Sequence, residues 1–326
     1  KVYKYHMKIL AIQNRMGIGD TVIFLPFIKA LYKKFNSPIS LLVKDSSKAN
    51  QYLSETNYID EIIILERDGN NTSRHSGIFG SFNLIKDLKR YNFDKVFIFN
   101  SSLRFNLIAR FSNIPEIYQY PLFDKHEQHI TDTPKKFLKD NLDLEVNEDP
   151  DIQISDISIN KTNEKFKISN NELNILLGIG GSGPTKRIPS RIFLEVIEKI
   201  SKVKRCKFFL ATGKGHEEQI ILNEILNSKF KNYCIPLDDF SIKETLPIIK
   251  CCDLSICNDS SFSHLSAALG IKTITLMADT PLIYGNYSSK MYPVIPDGVE
   301  TVGHNTLGKE KINSQKIYEK ILEINN

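Results

Sequence analysis

The chain has 326 residues, a length that suits two domains of about 150 residues each better than a single core. Hydrophobic residues make up 41% of the chain and charged residues 25%, which is the composition of an ordinary globular protein. The net charge of +5 comes from dispersed basic residues without an Arg-rich arm, so the sequence argues against nucleic acid as a partner.

The first half of the chain alternates short apolar runs with segments of helical periodicity. The apolar runs predict strands at residues 7–13, 39–43, 61–65, 95–99 and 116–120. The periodic segments predict a helix after Gly19 and helices at residues 82–90, 104–111 and 134–141. Pro26 is expected to start the regular part of the first helix or to kink it. Residues 67–77 are predicted to form a polar loop.

This pattern weakens after residue 121 and resumes in the second half. Low hydrophobicity at residues 145–156 indicates a linker. Strands are then predicted at residues 173–179, 207–211, 253–257 and 273–277, and helices at 189–201, 216–226, 242–251 and 314–324. Such alternation predicts an α/β fold with two parallel-sheet domains, which we place at residues 1–160 and 161–326.

A strand–turn–helix–strand unit late in the chain holds the most distinctive turn. The apolar run 253–257 ends at Asn-Asp-Ser-Ser (258–261), which can cap a helix that Gly270 stops. The helix would begin at the carboxyl end of a strand, where free N–H groups and the positive helix end suit an anionic ligand. His264, one turn in, would lean back towards the same point. The alternative is that Asp259 is an ordinary N-cap and His264 a packed or solvated residue.

The turn after the first strand contains two glycines and a carboxylate. Gly17 and Gly19, with Asp45 at the end of the second strand, suggest a dinucleotide-binding turn. The motif is partial, because Val22 stands where the third glycine is needed. Asp20, at the mouth of the strand beside the glycines, can serve as a general base or as the N-cap of the helix.

Two glycine-containing turns follow strands in the second half. Residues 180–189 do not form a P-loop, because Pro184 replaces the required lysine. Lys186 and Arg187 face an unfavourable helix dipole unless an anion binds between them, and the alternative is two solvated charges. The turn at 213–218 carries acidic residues that can accept ribose hydroxyls or favour the first turn of a helix.

Several of these segments resemble glycosyltransferase family 9, the bacterial heptosyltransferases. Residues 258–270, Asn-Asp-Ser-Ser-Phe-Ser-His-Leu-Ser-Ala-Ala-Leu-Gly, are similar to the nucleotide-sugar signature of that family. Residues 15–31, which read Arg-x-x-x-Gly-Asp and later Pro and Ala-Leu, are similar to its opening motif. The resemblance implies the GT-B architecture, two Rossmann-like domains facing each other across a cleft. The donor would bind the second domain and the acceptor the first, and the final helix at 314–326 would be able to pack back on the first domain.

The resemblance also implies a role for each candidate residue. Asp20 would take the proton from the acceptor hydroxyl, and Arg15 and Arg104 would face the acceptor, with a solvated side chain as the alternative for Arg104. The donor-binding candidates are Ser182, Lys186, Glu217, Asp259, Ser260, Ser261 and His264. Among them Glu217 would bind the ribose, with Glu218 as the alternative one residue further on.

The sequence departs from the family pattern in two places. Ser261 stands where the family usually has glycine. Met277-Ala278-Asp279 stands where it usually has Gly-Pro-Thr. The second departure would bring the carboxylate of Asp279 to the expected diphosphate and nucleobase edge.

The activity implied by the resemblance is inverting glycosyl transfer. The family's usual donor is ADP-heptose, and its usual acceptor is the inner core of lipopolysaccharide. The helix N-terminus at 260–261, with Lys186 and His264, would stabilise the departing diphosphate in place of a metal, so no metal or other cofactor is expected. Two alternatives remain, a nucleotide-sugar-binding relative without turnover and an NAD-dependent oxidoreductase.

The sequence also indicates where the protein acts. It contains no signal-peptide core and no apolar run near the roughly 20 residues that span a bilayer. Its five cysteines form no C-x-x-C pair, which predicts reduced, buried thiols and no metal site. We therefore expect a cytoplasmic protein whose partners are a nucleotide sugar and a glycolipid or oligosaccharide acceptor. The weak positive charge would suit peripheral contact with the inner membrane surface.

Overall fold

The computed structural model describes residues 6–67, 73–122, 128–169 and 171–325. The chain forms two compact units, Lys1–Pro150 and Asp151–Asn326, and each has a parallel sheet of its own. The predicted α/β fold with two Rossmann-like, parallel-sheet domains is therefore confirmed. Part of the predicted loop at 67–77 lies outside the described residues.

The described residues of the first unit form five parallel strands and five α-helices. The strands are β1 (Ile9–Ile12), β2 (Ile39–Lys44), β3 (Ile59–Leu65), β4 (Lys95–Ile98) and β5 (Glu116–Gln119). The helices are α1 (Ile18–Phe35), α2 (Ala49–Tyr52), α3 (Gly77–Lys89), α4 (Leu103–Phe111) and α5 (Asp132–Leu142). The sheet order is β3-β2-β1-β4-β5, so the chain switches sides of β1 after β3. In such sheets ligands bind outside the carboxyl ends of the strands at the switch point, which here lies between β1 and β4.

Helix α1 differs from the sequence expectation at its start. It begins at Ile18 and continues through Pro26, so the proline does not start the helix. Residues 21–28 are buried without a break. Packing of this segment in the core therefore outweighs the backbone hydrogen bond that the proline removes.

In the described part of the second unit there are six parallel strands and six helices of at least eight residues. The strands are β6 (Leu173–Gly178), β7 (Cys206–Ala211), β8 (Cys234–Pro236), β9 (Leu254–Asn258), β10 (Thr273–Leu276) and β11 (Met291–Val294). The helices are α6 (Asp156–Phe166), α7 (Ser190–Ser201), α8 (His216–Leu226), α9 (Ile242–Lys250), α10 (Ser261–Ala268) and α11 (Ser314–Asn325). The sheet order is β11-β10-β9-β6-β7-β8, which places β6 and β9 at the centre.

The boundary between the units, after Pro150, falls within the predicted linker at 145–156 and ten residues before the predicted domain limit at 160. The N–H of Ile152 donates to the carbonyl of Ala268 over 2.9 Å, so the end of this linker already belongs to the second unit. Helix α6 follows and packs against α9. The last helix, α11, also packs within the second unit, against α7, where Ser314 Oγ donates to Glu195 Oε2 over 2.5 Å. The expected packing of this helix on the first domain stays a prediction.

The cysteines and the helices agree with two further expectations. All five cysteines are free, and four of them are buried. Burial raises the pKa of the Cys257 thiol to about 12, as expected for a small apolar core residue. In the part of the chain that the structure describes, no helix is long and apolar enough to cross a bilayer.

Candidate functional site

The turns that carry the donor-binding candidates meet at one edge of the second sheet. β6 and β9 are neighbouring parallel strands, so the turns after them start at the same edge. Asn258, the buried last residue of β9, donates its side-chain N–H to the carbonyls of Ile179 (2.8 Å) and Gly180 (3.2 Å). The two turns are therefore held against each other by a side chain with no access to water.

An ion pair joins these two turns. Asp259 follows β9 with a side chain only 4% exposed, whereas the side chain of Lys186, from the turn after β6, is 27% exposed. Lys186 Nζ donates to Asp259 Oδ2 over 2.7 Å. Burial opposes the charge of Asp259, but His264 and Lys186 outweigh it, and the pKa of this carboxyl lies below its usual value. Asp259 is therefore a standing anion, and Lys186 retains two further N–H donors.

His264 lies one turn into α10 and is buried. Its Nδ1 is 2.8 Å from the hydroxyl of Tyr287, and the two rings stack with centroids 5.6 Å apart. Its Nε2 is 3.8 Å from Asp259 Oδ1. Burial lowers the pKa of His264 to about 4, against the opposing influence of Asp259. The imidazole is neutral near pH 7, so Lys186 is the standing countercharge of Asp259.

The N-terminus of α10 has polar groups available for a ligand. Ser260 occupies the N-cap position in extended backbone, so the interpretation of Asp259 as the N-cap is wrong. The side chain of Ser260 makes no capping hydrogen bond to this helix. The buried Ser260 Oγ has no hydrogen-bond partner among the described residues either. A buried hydroxyl without a partner is costly, and with the free N–H groups of the helix it indicates a site for a polar ligand.

The two acidic residues at the start of α8 have different environments. Glu217 is exposed and forms an ion pair with Arg187, whose Nε also donates to the Gly181 carbonyl over 2.8 Å. Glu218 accepts the N–H of Gly181 over 2.9 Å. A Cβ at Gly213 would lie 2.6 Å from Glu218 Oε2, so a larger residue there would displace this carboxylate. Of the two ribose candidates, Glu218 is committed to the backbone and Glu217 lies at the surface.

The remaining candidates of the second unit lie around this edge. Ser182 is exposed in the turn after β6, and Ser261 is the half-buried first residue of α10. Asp279 accepts the N–H of Leu307 over 2.8 Å. Partial burial opposes its charge, but this hydrogen bond prevails and the pKa of Asp279 is lowered. Because Leu307 has a left-handed φ of 51°, the Asp279 carboxylate stabilises a strained turn.

In the first unit, a buried glutamine fixes the turn that carries Asp20 and Arg15. Gly17, with φ 97°, is at the N-cap position of α1 and Asp20 lies in the first turn, so the N-cap interpretation of Asp20 is wrong. Gln13 Nε2 donates to the Asp20 carbonyl over 3.3 Å, and Gln13 Oε1 accepts the N–H of Arg15 over 2.9 Å. The side chain of Gln13 therefore sets the path of the backbone between β1 and α1.

A polar network joins the carboxyl ends of β1 and β4. Arg15 Nη2 donates to the carbonyl of Gln128 over 3.0 Å, and Gln128 Nε2 donates to Ser101 Oγ over 2.6 Å. Asn100 Nδ2 donates to Asn14 Oδ1 over 3.2 Å. The two segments expected to face the acceptor, around residues 15 and 100, are thus brought together at the switch point of the first sheet.

Arg104 is held by α3 and by His75, two residues before that helix. Its Nε donates to Ser81 Oγ over 2.9 Å, and its Nη2 donates to the His75 carbonyl. Burial and the nearby charge of Arg67 lower the pKa of the guanidinium. Arg104 therefore fastens α4 to α3, and its contact with an acceptor stays a prediction.

Sequence reasoning missed three residues of these networks, because no motif or spacing distinguishes them: Gln13, Gln128 and Tyr287. Two of them act on partners distant in the chain, since 113 residues separate Arg15 from Gln128 and 23 separate His264 from Tyr287. A search of residues 6–67, 73–122, 128–169 and 171–325 finds no group of three or more His, Cys, Asp or Glu side chains placed to hold a metal ion.

Known proteins resemble this chain in both sequence and fold. The family model of glycosyltransferase family 9 (heptosyltransferase) matches residues 81–320. A lipopolysaccharide heptosyltransferase 1 of Campylobacter coli is 28% identical over 148 residues, 45% of this chain and 43% of that protein. A lipooligosaccharide heptosyltransferase 2 of Campylobacter jejuni is 26% identical over 81% of this chain and 78% of that protein. The structure of an ADP-heptose lipopolysaccharide heptosyltransferase II of E. coli has a TM-score of 0.71 at 18% identity and covers 98% of each chain.

Proposed function

Because this chain belongs to glycosyltransferase family 9, the heptosyltransferase family, we propose that it transfers heptose from ADP-heptose to a lipopolysaccharide core-type acceptor, with inversion. The names of its relatives suggest these substrates. The observation that carries the proposal is the Lys186–Asp259 pair beside the N-terminus of α10. A fixed cation next to free helix N–H groups suits the diphosphate of a nucleotide sugar.

In this proposal the diphosphate lies at the N-terminus of α10, against Ser260 and Ser261. Lys186 donates one N–H to Asp259 and directs its other two to phosphate oxygens. Because Asp259 holds the ammonium in place before substrate arrives, less ordering is needed on binding. Negative charge grows on the diphosphate as its bond to the sugar breaks, and these donors stabilise that charge without a metal.

Asp259 and His264 act as positioning residues for Lys186. If the Tyr287 hydroxyl donates to His264 Nδ1, the proton of the neutral ring lies on Nε2, which faces Asp259 Oδ1 at 3.8 Å. A charged imidazolium would compete with Lys186 for the same carboxylate, and the neutral ring does not. Of the remaining residues proposed to bind the donor substrate, we assign Ser182 to the diphosphate and Glu217 to the ribose.

On the acceptor side, Asp20 is the proposed general base and Arg15 binds the acceptor. The acceptor hydroxyl oxygen attacks the anomeric carbon from the face opposite the diphosphate. A new carbon–oxygen bond forms as the bond to ADP breaks, and the hydroxyl proton moves to Asp20. Gln13 and Gln128 hold the backbone of Asp20 and the side chain of Arg15 respectively.

Turnover with defined substrates tests the proposal. Purified protein is mixed with ADP-heptose and a core-type acceptor, ADP release is measured, and the anomeric configuration of the product is determined by NMR. We expect ADP release that requires the acceptor, an inverted product, and no reaction with a UDP-sugar control. Binding of ADP-heptose without turnover would indicate the catalytically degenerate relative instead. The oxidoreductase alternative is disfavoured by family membership and by the fully buried Val22 at the glycine position of its fingerprint.

A further inference from the structure

Two helices of the first unit that pack against each other, α3 and α4, expose large apolar side chains. These residues and their exposed fractions are Ile78 77%, Phe79 85%, Phe82 63%, Leu103 42%, Leu107 42% and Phe111 61%. We call this set the α3–α4 apolar surface. Single exposed apolar residues are common, but a group on adjacent helices marks an interaction site.

The exposure does not come from a loosely attached helix. His75, just before α3, accepts the N–H of Glu66 at Nδ1 over 3.0 Å, and its Nε2 lies 3.2 Å from Asp87 Oδ2. Arg104 donates to the His75 carbonyl and so ties α4 to the same point. A Cβ at Gly80 would lie 2.2 Å from the His75 backbone, so the first turn of α3 is packed closely. The phenylalanines are therefore held in solvent by a fixed helix.

Basic residues accompany the apolar ones. Lys86 and Lys89 lie in the last turn of α3, and Arg110 lies in the last turn of α4. Asp87 is the one acidic residue in the sequences of these two helices, and its side chain is 16% exposed and paired with Arg74 at 2.7 Å. Aromatic and aliphatic residues combined with exposed lysine and arginine are typical of helices that lie in the interface of an anionic bilayer.

We propose that the α3–α4 apolar surface docks onto an anionic phospholipid bilayer. Phe79 and Phe82 enter the boundary between headgroups and acyl chains, and Lys86 and Lys89 bind lipid phosphates. Helix α4 starts at the carboxyl edge of the sheet, the same edge at which the first turn of α1 carries Asp20. Docking would bring this edge to a lipid-linked acceptor, a consequence that rests on the proposed function, whereas the docking itself does not.

Vesicle co-sedimentation tests the docking. The parent protein should bind vesicles of phosphatidylethanolamine and phosphatidylglycerol more tightly than vesicles of phosphatidylcholine alone. Phe79→Ser/Phe82→Ser should weaken binding to the anionic vesicles by about tenfold or more, because two large apolar side chains no longer leave water. The matched control is Ile157→Ser/Val203→Ser in the second unit, where the residues are 67% and 69% exposed, and it should bind like the parent.

A second variant tests the charge. Lys86→Gln/Lys89→Gln should weaken binding at low salt, and its difference from the parent should shrink as salt rises. The side chains replaced in the phenylalanine and lysine double variants are all exposed, so the thermal unfolding temperature of each variant should match that of the parent.

Two results would overturn the proposal. One is equal vesicle binding by the parent and the double-serine phenylalanine variant. The other is a parent dimer, seen by light scattering, that the same variant converts to a monomer, since a second copy would then cover the surface. The assay contains no nucleotide or sugar, so its outcome is independent of whether the transferase proposal holds.

Discussion

Buried His264 should make the stability of the second unit depend on pH. Its pKa is about 4 in the folded protein, against about 6.5 in an unfolded chain. Between these values the unfolded state binds a proton that the folded state does not, so stability falls as the pH falls through this window. At about 1.4 kcal/mol per pKa unit, the difference corresponds to a loss of about 3 kcal/mol between pH 6.5 and pH 4. Above pH 6.5 this contribution is fully present.

His264→Gln isolates this effect, because glutamine does not titrate and keeps an oxygen that can accept from Tyr287. The free energy of unfolding of the second unit is measured by urea titration with circular dichroism at steps from pH 7 to pH 4.5. The matched control is His216→Gln, since His216 is an exposed histidine of the second unit. His264→Gln should be less stable than the parent at pH 7. The difference between their free energies of unfolding should narrow by about 2 kcal/mol by pH 4.5.

Two outcomes would refute this reasoning. The parent and His264→Gln could lose stability in parallel as the pH falls, which would mean that the histidine is not held neutral by burial. Alternatively, His216→Gln could remove the pH dependence, which would assign that dependence to an exposed histidine. Either result would also remove the argument that Lys186 is the standing countercharge of Asp259.

Two further predictions concern the donor site. Lys186→Gln should weaken ADP-heptose binding by about tenfold or more at low salt, with a smaller loss at high salt. Lys186→Gln should also lower the free energy of unfolding by about 1–3 kcal/mol, because buried Asp259 loses its partner. Arg187→Gln breaks an ion pair with exposed Glu217 and should lower the free energy of unfolding by less. Equal losses in the two variants would contradict the argument that the Lys186–Asp259 pair is buried. Addition of EDTA should leave transfer activity intact, and activity that is abolished by EDTA and restored by Mg²⁺ would contradict a diphosphate site built from amides and a lysine.

The parallel sheets could be predicted because their strands are buried on both faces. Such strands are nearly continuous apolar runs, as in β1, or fully buried runs with few polar residues, as in β9, and glycine or polar turns separate them from periodic helices. Helix α6 escaped prediction because Thr162 is its one buried residue, so it shows almost no apolar periodicity. The short strands β8 and β11 lie at the edges of their sheet and contain Pro236 and Pro293, which hide a strand pattern.

The candidate site could be predicted as a set of turns but not as a set of contacts. The turns are local in sequence, and glycine, serine and aspartate after an apolar run identify them. The pairing of Lys186 with Asp259 joins residues 73 positions apart, and sequence spacing does not encode it. The same holds for Tyr287, which decides how the His264 ring is held. Asp279 makes a further contact of this kind, because its carboxylate accepts the N–H of Leu307, 28 positions further along the chain.

The turnover number of Asp20→Asn, measured beside that of the parent, tests the central claim most directly. Asp20 is not the N-cap of α1, so asparagine removes the proton acceptor and a favourable charge in the first helical turn, worth about 0.3–1 kcal/mol. The protein should therefore remain folded and bind ADP-heptose normally. We predict that turnover falls by roughly 10² or more, the usual scale for loss of a general base. Turnover close to that of the parent would contradict the catalytic role of Asp20.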